Sequence, residues 1–220
     1  MRPQVKVCCI GSVAEARMAI DAGAAAVGLV SAMPSGPGVI DDATIAEIAA
    51  AVAPPVETFL LTARTDARAI AAQHVAARTT TLQLVDRVDH RELRALRALC
   101  PGVRLVQVIH VVDVSSVDEA LAAAPHVDAL LLDSGNPALP VKQLGGTGRA
   151  HDWAFSRRIR DAVAPMPLYL AGGLHAGNVA QAIGAVQPFG LDVCSRVRTA
   201  GALDPAKLSA FMSAVAARPQ

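Results

Sequence analysis

Eight short apolar runs rich in β-branched residues recur along this chain, with helical patterns between them. They are Val5 to Ile10, Ala25 to Val30, Val56 to Leu61, Thr80 to Val85, Leu105 to Val111, Asp128 to Leu132, Pro167 to Ala171 and Leu191 to Ser195. Continuous apolar strands that alternate with helices imply a parallel sheet covered on its outer face, and eight of them are enough to close it. The predicted fold is therefore α/β, a (β/α)8 TIM barrel, for which 220 residues is near the lower size limit. A doubly wound open sheet is the competitor. It would favour a GxGxxG turn after the first strand, where this chain reads Cys9-Ile10-Gly11-Ser12. No linker or low-complexity stretch divides the sequence, so one domain is expected over residues 1–220.

The segments between strands carry helix signals with physical causes. Ser12-x-x-Glu15 and Asp89-x-x-Glu92 read as capping boxes, and Asp204-Pro205 places proline at a first helical position. Ile45, Ile48, Ala49 and Val52 share one helical face, as do Leu93, Leu96 and Leu99. Pro54-Pro55 and Pro101-Gly102 end those stripes.

With 53% hydrophobic and 18% charged residues, the chain can bury a sizeable core. Twenty Lys and Arg against nineteen Asp and Glu leave a formal charge of +1, which gives no global attraction to nucleic acid or a membrane surface. An anion must be held locally. The start, Met1-Arg2-Pro3-Gln4, lacks the apolar core of a signal peptide, and no 18 apolar residues run unbroken, so a cytoplasmic address is expected. Cys8, Cys9, Cys100 and Cys194 lack zinc-site spacing, and no disulfide framework is expected of them. No metal or cofactor is expected, and a monomer or a homodimer is left open. If Cys8 and Cys9 both lie in a strand they point to opposite faces, one packing and one reaching a pocket.

In such a barrel, function sits where the strands end. Those ends hold Cys8, Asp133-Ser134, Gly172-Gly173, Asp192 and Ser195. Backbone N–H groups can approach a phosphate where no side chain intervenes, so Gly172 and Gly173 suit an anion, as does the turn Ser195-Arg196-Val197-Arg198 with its hydroxyl and guanidinium groups. The plainer alternatives are a tight turn, solvated arginines, a packing cysteine and a turn-forming aspartate. Cys9, Cys100 and Cys194 read as core, and His110 either contacts ligand or is satisfied within the fold.

Several segments, in order, resemble the phosphoribosylanthranilate isomerase family of tryptophan biosynthesis. They are Lys6-Val7-Cys8-Cys9-Ile10, Leu130-Leu131-Leu132-Asp133-Ser134, Gly145-Gly146-Thr147-Gly148 with Asp152-Trp153, Ala171-Gly172-Gly173-Leu174 with Asn178-Val179, and Asp192-Val193-Cys194-Ser195. The resemblance implies that Cys8 is the general base and Asp133 the general acid of an Amadori rearrangement. It implies a substrate phosphate at Gly172, Gly173 and Ser195, with Arg196 nearby. Asp192 would lie by the sugar, and Lys6, Gly146 and Thr147 are the remaining candidate substrate contacts. An acid opens the ribose ring and a base takes the proton from the adjacent carbon, chemistry that needs no redox centre or metal. A thiol can be that base only if its ordinary pKa of about 8.5 is held down by positive surroundings, and Lys6 lies on the same strand face to assist.

The chain also departs from the family. Where the family commonly shows Ser-Pro-Arg after strand two, this sequence reads Met33-Pro34-Ser35-Gly36-Pro37. Losing that guanidinium removes a charge-assisted contact worth about 1.5–3 kcal/mol. Cys9 replaces a family glycine, Gln83-Leu84-Val85-Asp86 replaces Gln-Leu-His-Gly, and Arg196 or Arg198 could return the lost charge from another loop. Three readings follow: the isomerase itself, a paralogous cofactor-free lyase, epimerase or isomerase on another phosphorylated substrate, and a non-catalytic phosphometabolite-binding protein.

Overall fold

The computed structural model of the chain describes residues 2–135, 139–140, 142, 144 and 151–217. Eight parallel strands close into a barrel in chain order. They are β1 (Gln4–Val7), β2 (Ala26–Val30), β3 (Glu57–Thr62), β4 (Thr81–Leu84), β5 (Arg104–His110), β6 (Ala129–Asp133), β7 (Leu168–Leu170) and β8 (Gly190–Val193). Closure is made where β1 pairs with β8, Val7 opposite Val193. Every apolar run named from the sequence overlaps a barrel strand, although β1 and β8 end earlier than their runs do.

Outside the barrel lie α1 (Val13–Asp21), α2 (Asp42–Ala51), α3 (Ala67–Ala77), α4 (His90–Leu99), α5 (Ser115–Ala123), α6 (Trp153–Val163), α7 (Val179–Val186) and α8 (Pro205–Ala216). Ile45, Ile48, Leu93 and Leu96 pack against outward strand residues such as Leu29, Leu60 and Leu82. Each such fully buried side chain stabilises the fold by about 1.5–3 kcal/mol relative to exposure. Leu99 departs from the expected stripe: it is 49% exposed, while Leu96 and Cys100, four residues apart on the inward face, are buried.

Both capping boxes are half formed. Ser12 Oγ accepts from Glu15 N at 3.2 Å, but the Glu15 carboxylate turns to Gly11 N and to Leu203 N. Asp89 caps α4 through Arg91 N, while Glu92 reaches across to accept from Ala67 N at the start of α3. Each glutamate therefore ties its helix to a neighbour instead of closing its own first turn. Asp204 accepts from Ala206 N and Lys207 N, with Pro205 opening α8 as expected.

The barrel interior is a separate layer that includes Phe59, Val106, Ala129, Leu131 and Tyr169. Two glycines make room in it. A β-carbon on Gly190 would overlap the Tyr169 ring, and one on Gly28 would meet Cys8 Sγ at 2.8 Å and Lys6 Nζ at 2.9 Å. A short antiparallel pair, β9 (Arg198–Thr199) and β10 (Ala202–Leu203), follows β8 and was not anticipated.

Candidate active site

A cleft opens at the carboxyl ends of the strands and is lined by Cys8, Asp133, Asp192, Gly172, Gly173 and Ser195 among others. Six of the expected site residues thus share one cavity. Lys6 lies beneath it with no exposure, and Arg196 is not among its lining residues. Gly146 and Thr147 fall outside the described residues.

On one side the chain leaves β1 sharply. Cys8 N donates to Val193 O at 2.8 Å, and Cys9 then adopts φ 63°, a left-handed conformation that suits glycine better than a residue with a β-carbon. Cys8 and Cys9 therefore do not point to opposite faces. The strand has ended at Val7, alternation no longer applies, and both thiols line the cleft. Arg198 holds this turn: Nη2 donates to the carbonyl oxygens of Cys8 and Cys9, while the guanidinium pairs with Glu15 at 3.1 Å. Arg198 is thereby committed to the back of the turn and does not supply charge to the cleft.

Lys6 Nζ donates to Asp192 Oδ1 at 2.9 Å and sits 5.3 Å from the Phe59 ring centroid. Burial alone would lower the Lys6 pKa, but the Asp192 carboxylate and the neighbouring Cys8 together raise it, so the ammonium stays charged. The Cys8 thiol is held below its ordinary value, first by a hydrogen bond from Cys9 and, against the cost of burial, by the Lys6 charge. Lys6 supports the thiol from below the floor of the cleft.

Across the cleft, Asp133 ends β6 beside His110 at the end of β5. Its Oδ1 accepts from Ser134 N at 2.7 Å. Burial nonetheless raises its pKa above the usual carboxylate range, with Asp192 adding to the shift and His110 and Lys6 opposing it. A carboxyl with a raised pKa and a thiol with a lowered one thus line the same cleft. His110 is buried and does not line the cleft; its Nε2 lies 2.9 Å from Val85 O, while its Nδ1 has no hydrogen-bond partner among the described residues.

The third side is built for close approach. Gly172 and Gly173 adopt φ 83° and 63°, and a β-carbon on Gly172 would crowd His151 Nδ1 at 3.1 Å and Ser134 at 3.2 Å. Asn178 pins this loop by donating to Gly173 O and accepting from His175 N. Ser195 opens a single turn of 3-10 helix, Ser195–Val197, directly after β8. The cleft is also lined by residues to which no role was attached: Gln83, Met33, Leu144, Cys9 and Cys194. Gln83 Oε1 is buried without a hydrogen-bond partner, and its signal in the sequence was only a polar residue inside an apolar run. Among the described residues, no group of three or more His, Cys, Asp or Glu is placed to hold a metal ion.

A family model described as N-(5'phosphoribosyl)anthranilate (PRA) isomerase matches residues 5–214. The chain belongs to the phosphoribosylanthranilate isomerase family. The N-(5'-phosphoribosyl)anthranilate isomerase of Halorubrum lacusprofundi is 35% identical over 212 residues, covering 96% of this chain and 95% of that protein. The corresponding protein of Desulforudis audaxviator is 36% identical over 210 residues, covering 94% and 95%. The crystal structure of phosphoribosyl anthranilate isomerase from Thermotoga maritima superposes with a TM-score of 0.83 at 25% identity, covering 97% of this chain and 98% of that one. Met33, Ser35 and Pro37 line the stretch after β2, and among the described residues no Lys or Arg lines the cavity.

Proposed function

We propose that this isomerase carries out the Amadori rearrangement of phosphoribosylanthranilate in tryptophan biosynthesis, with Asp133 as general acid and Cys8 as general base. The observation that carries the assignment of roles is the opposed bias of two groups in one cleft: Asp133 is held toward its acid form and Cys8 toward its thiolate. The family match favours isomerisation over the lyase, epimerase and binding-protein readings.

Asp133 donates its proton to the ribose ring oxygen, and the bond from that oxygen to C1 breaks as the amine nitrogen forms a C=N double bond. The Cys8 thiolate then removes the proton from C2. The resulting enol becomes the ketone as C1 gains a proton and the C2 hydroxyl loses one, so aminoaldose and aminoketose differ only in hydrogen positions. The substrate phosphate is assigned to the backbone N–H groups around Gly172, Gly173 and Ser195, with the Ser195 hydroxyl as a further donor. Asp192 faces the sugar. The aromatic ring is assigned to the wall made by Met33, Pro37 and Leu144, where its carboxylate meets no guanidinium among the described residues.

The proposed setting is cytoplasmic, as a monomer or homodimer; no described helix is long and apolar enough to cross a membrane. Turnover of phosphoribosylanthranilate by the purified chain tests the reading. Formation of the ribulose product, with a KM about ten- to a hundred-fold higher than in relatives that retain the arginine, is the expected result. Absence of turnover at saturating substrate contradicts it.

A further inference from the structure

Three thiols converge on the cleft, although a single general base needs only one. Cys8, Cys9 and Cys194 all line it, and all are free. The register of β1 against β8, with Val7 opposite Val193, brings Cys8 and Cys194 side by side at the strand ends. The left-handed turn at residue 9 keeps the Cys9 side chain on the cleft beside this pair, where its thiol donates to Pro37 O at 3.6 Å. Gly38 makes the necessary room, since a β-carbon there would collide with Cys9. Cys194 is partly exposed, so small solutes reach the cluster from solvent.

We propose that this cluster is an oxidative modification site, at which a hydroperoxide converts Cys8 to a sulfenic acid and Cys9 captures it as a disulfide. The nucleophile rests on the reading of Cys8 as a thiolate base. Cys8 sulfur attacks one peroxide oxygen and gives up two electrons. The O–O bond breaks, and the departing hydroxide or alkoxide takes a proton. Cys9 sulfur then attacks the sulfenic sulfur, forming S–S and breaking S–O, while the Cys9 proton leaves with the hydroxide as water. The neighbouring Cys194 and Cys8, together with burial, raise the Cys9 thiol pKa, so Cys8 and not Cys9 is the initial target.

Two consecutive residues are about 3.8 Å apart at Cα, shorter than the usual 4.4–6.8 Å span of a disulfide. The bond is therefore strained and easily reduced by a small dithiol. Cys9 thus stops oxidation of the base at a reversible stage, before sulfinic acid forms.

The test treats the full chain and its Cys9→Gly variant with hydrogen peroxide, then with dithiothreitol, and follows both intact-peptide mass and turnover. Glycine suits φ 63°, so the variant keeps the turn. In the parent, the peptide containing Cys8 and Cys9 becomes two hydrogens lighter and unreactive to iodoacetamide. Dithiothreitol restores its mass together with the activity present before treatment. In Cys9→Gly, Cys8 gains two oxygens, and recovery relative to that variant's own starting activity falls at least about tenfold. Equal recovery in the two proteins, a disulfide that joins Cys9 to Cys194, or an unmodified Cys8 overturns the proposal. Because the bond is read by mass, a chain inactive on phosphoribosylanthranilate would refute the isomerase reading and leave this test decisive.

Discussion

Lys6 and Cys8 share the space that a side chain at residue 28 would require: Nζ and Sγ lie 2.9 Å and 2.8 Å from where its β-carbon would be. A buried ammonium is thereby held against the thiol on one side and against Asp192, at 2.9 Å, on the other. The charge that biases the thiol comes from below the cleft.

Lys6→Met should move the Cys8-dependent limb of the pH–rate profile to higher pH. The reasoning fixes the sign: Lys6 favours the thiolate, so removing its charge raises the thiol pKa and less base is available at neutral pH. Alkylation of Cys8 by iodoacetamide at pH 7 should slow in parallel. An unchanged limb and alkylation rate would show that Lys6 only packs.

Asp192→Ala should destabilise the fold by about 3–5 kcal/mol, because it leaves a buried ammonium without its main counter-charge. Replacing both partners, as Lys6→Met with Asp192→Leu, should recover most of that loss in urea unfolding.

Gly28→Ala should cost about 1–3 kcal/mol of stability through overpacking. Displacing Cys8 Sγ by about 1 Å should also lower kcat/KM about 100-fold. Stability and activity measured on the same preparation separate the two effects.

Asp133→Asn should lose activity and gain stability. Burial raises the Asp133 pKa in the fold, so ionisation favours the unfolded chain: stability is lost as pH rises from the ordinary carboxylate value through the folded one. The variant should be more stable than the parent at pH 7, with the difference fading below about pH 4. Unfolding curves at the two pH values check the sign.

The barrel was legible because each strand is an uninterrupted apolar run between turn residues, as in Leu130-Leu131-Leu132 before Asp133. Strand ends then pointed to Cys8, Asp133, Asp192 and the Gly172-Gly173 turn without coordinates. What the sequence concealed depends on long-range partners. Arg198 reads as a solvated cation until Glu15, 183 residues earlier, is seen to occupy it. Lys6 reads as a cleft residue until Gly28 shows where its ammonium is stored. Cys9 reads as alternating strand core, because nothing local announces that β1 stops at Val7 and that the next turn is left-handed.

The central claim is that Cys8 and Asp133 work on one substrate from two sides, and steady-state turnover of phosphoribosylanthranilate by Cys8→Ala and Asp133→Asn tests it most directly. Each substitution should lower kcat by about 100- to 10,000-fold while the folded state and phosphate binding persist. Turnover within a few-fold of the parent in either variant would contradict the account.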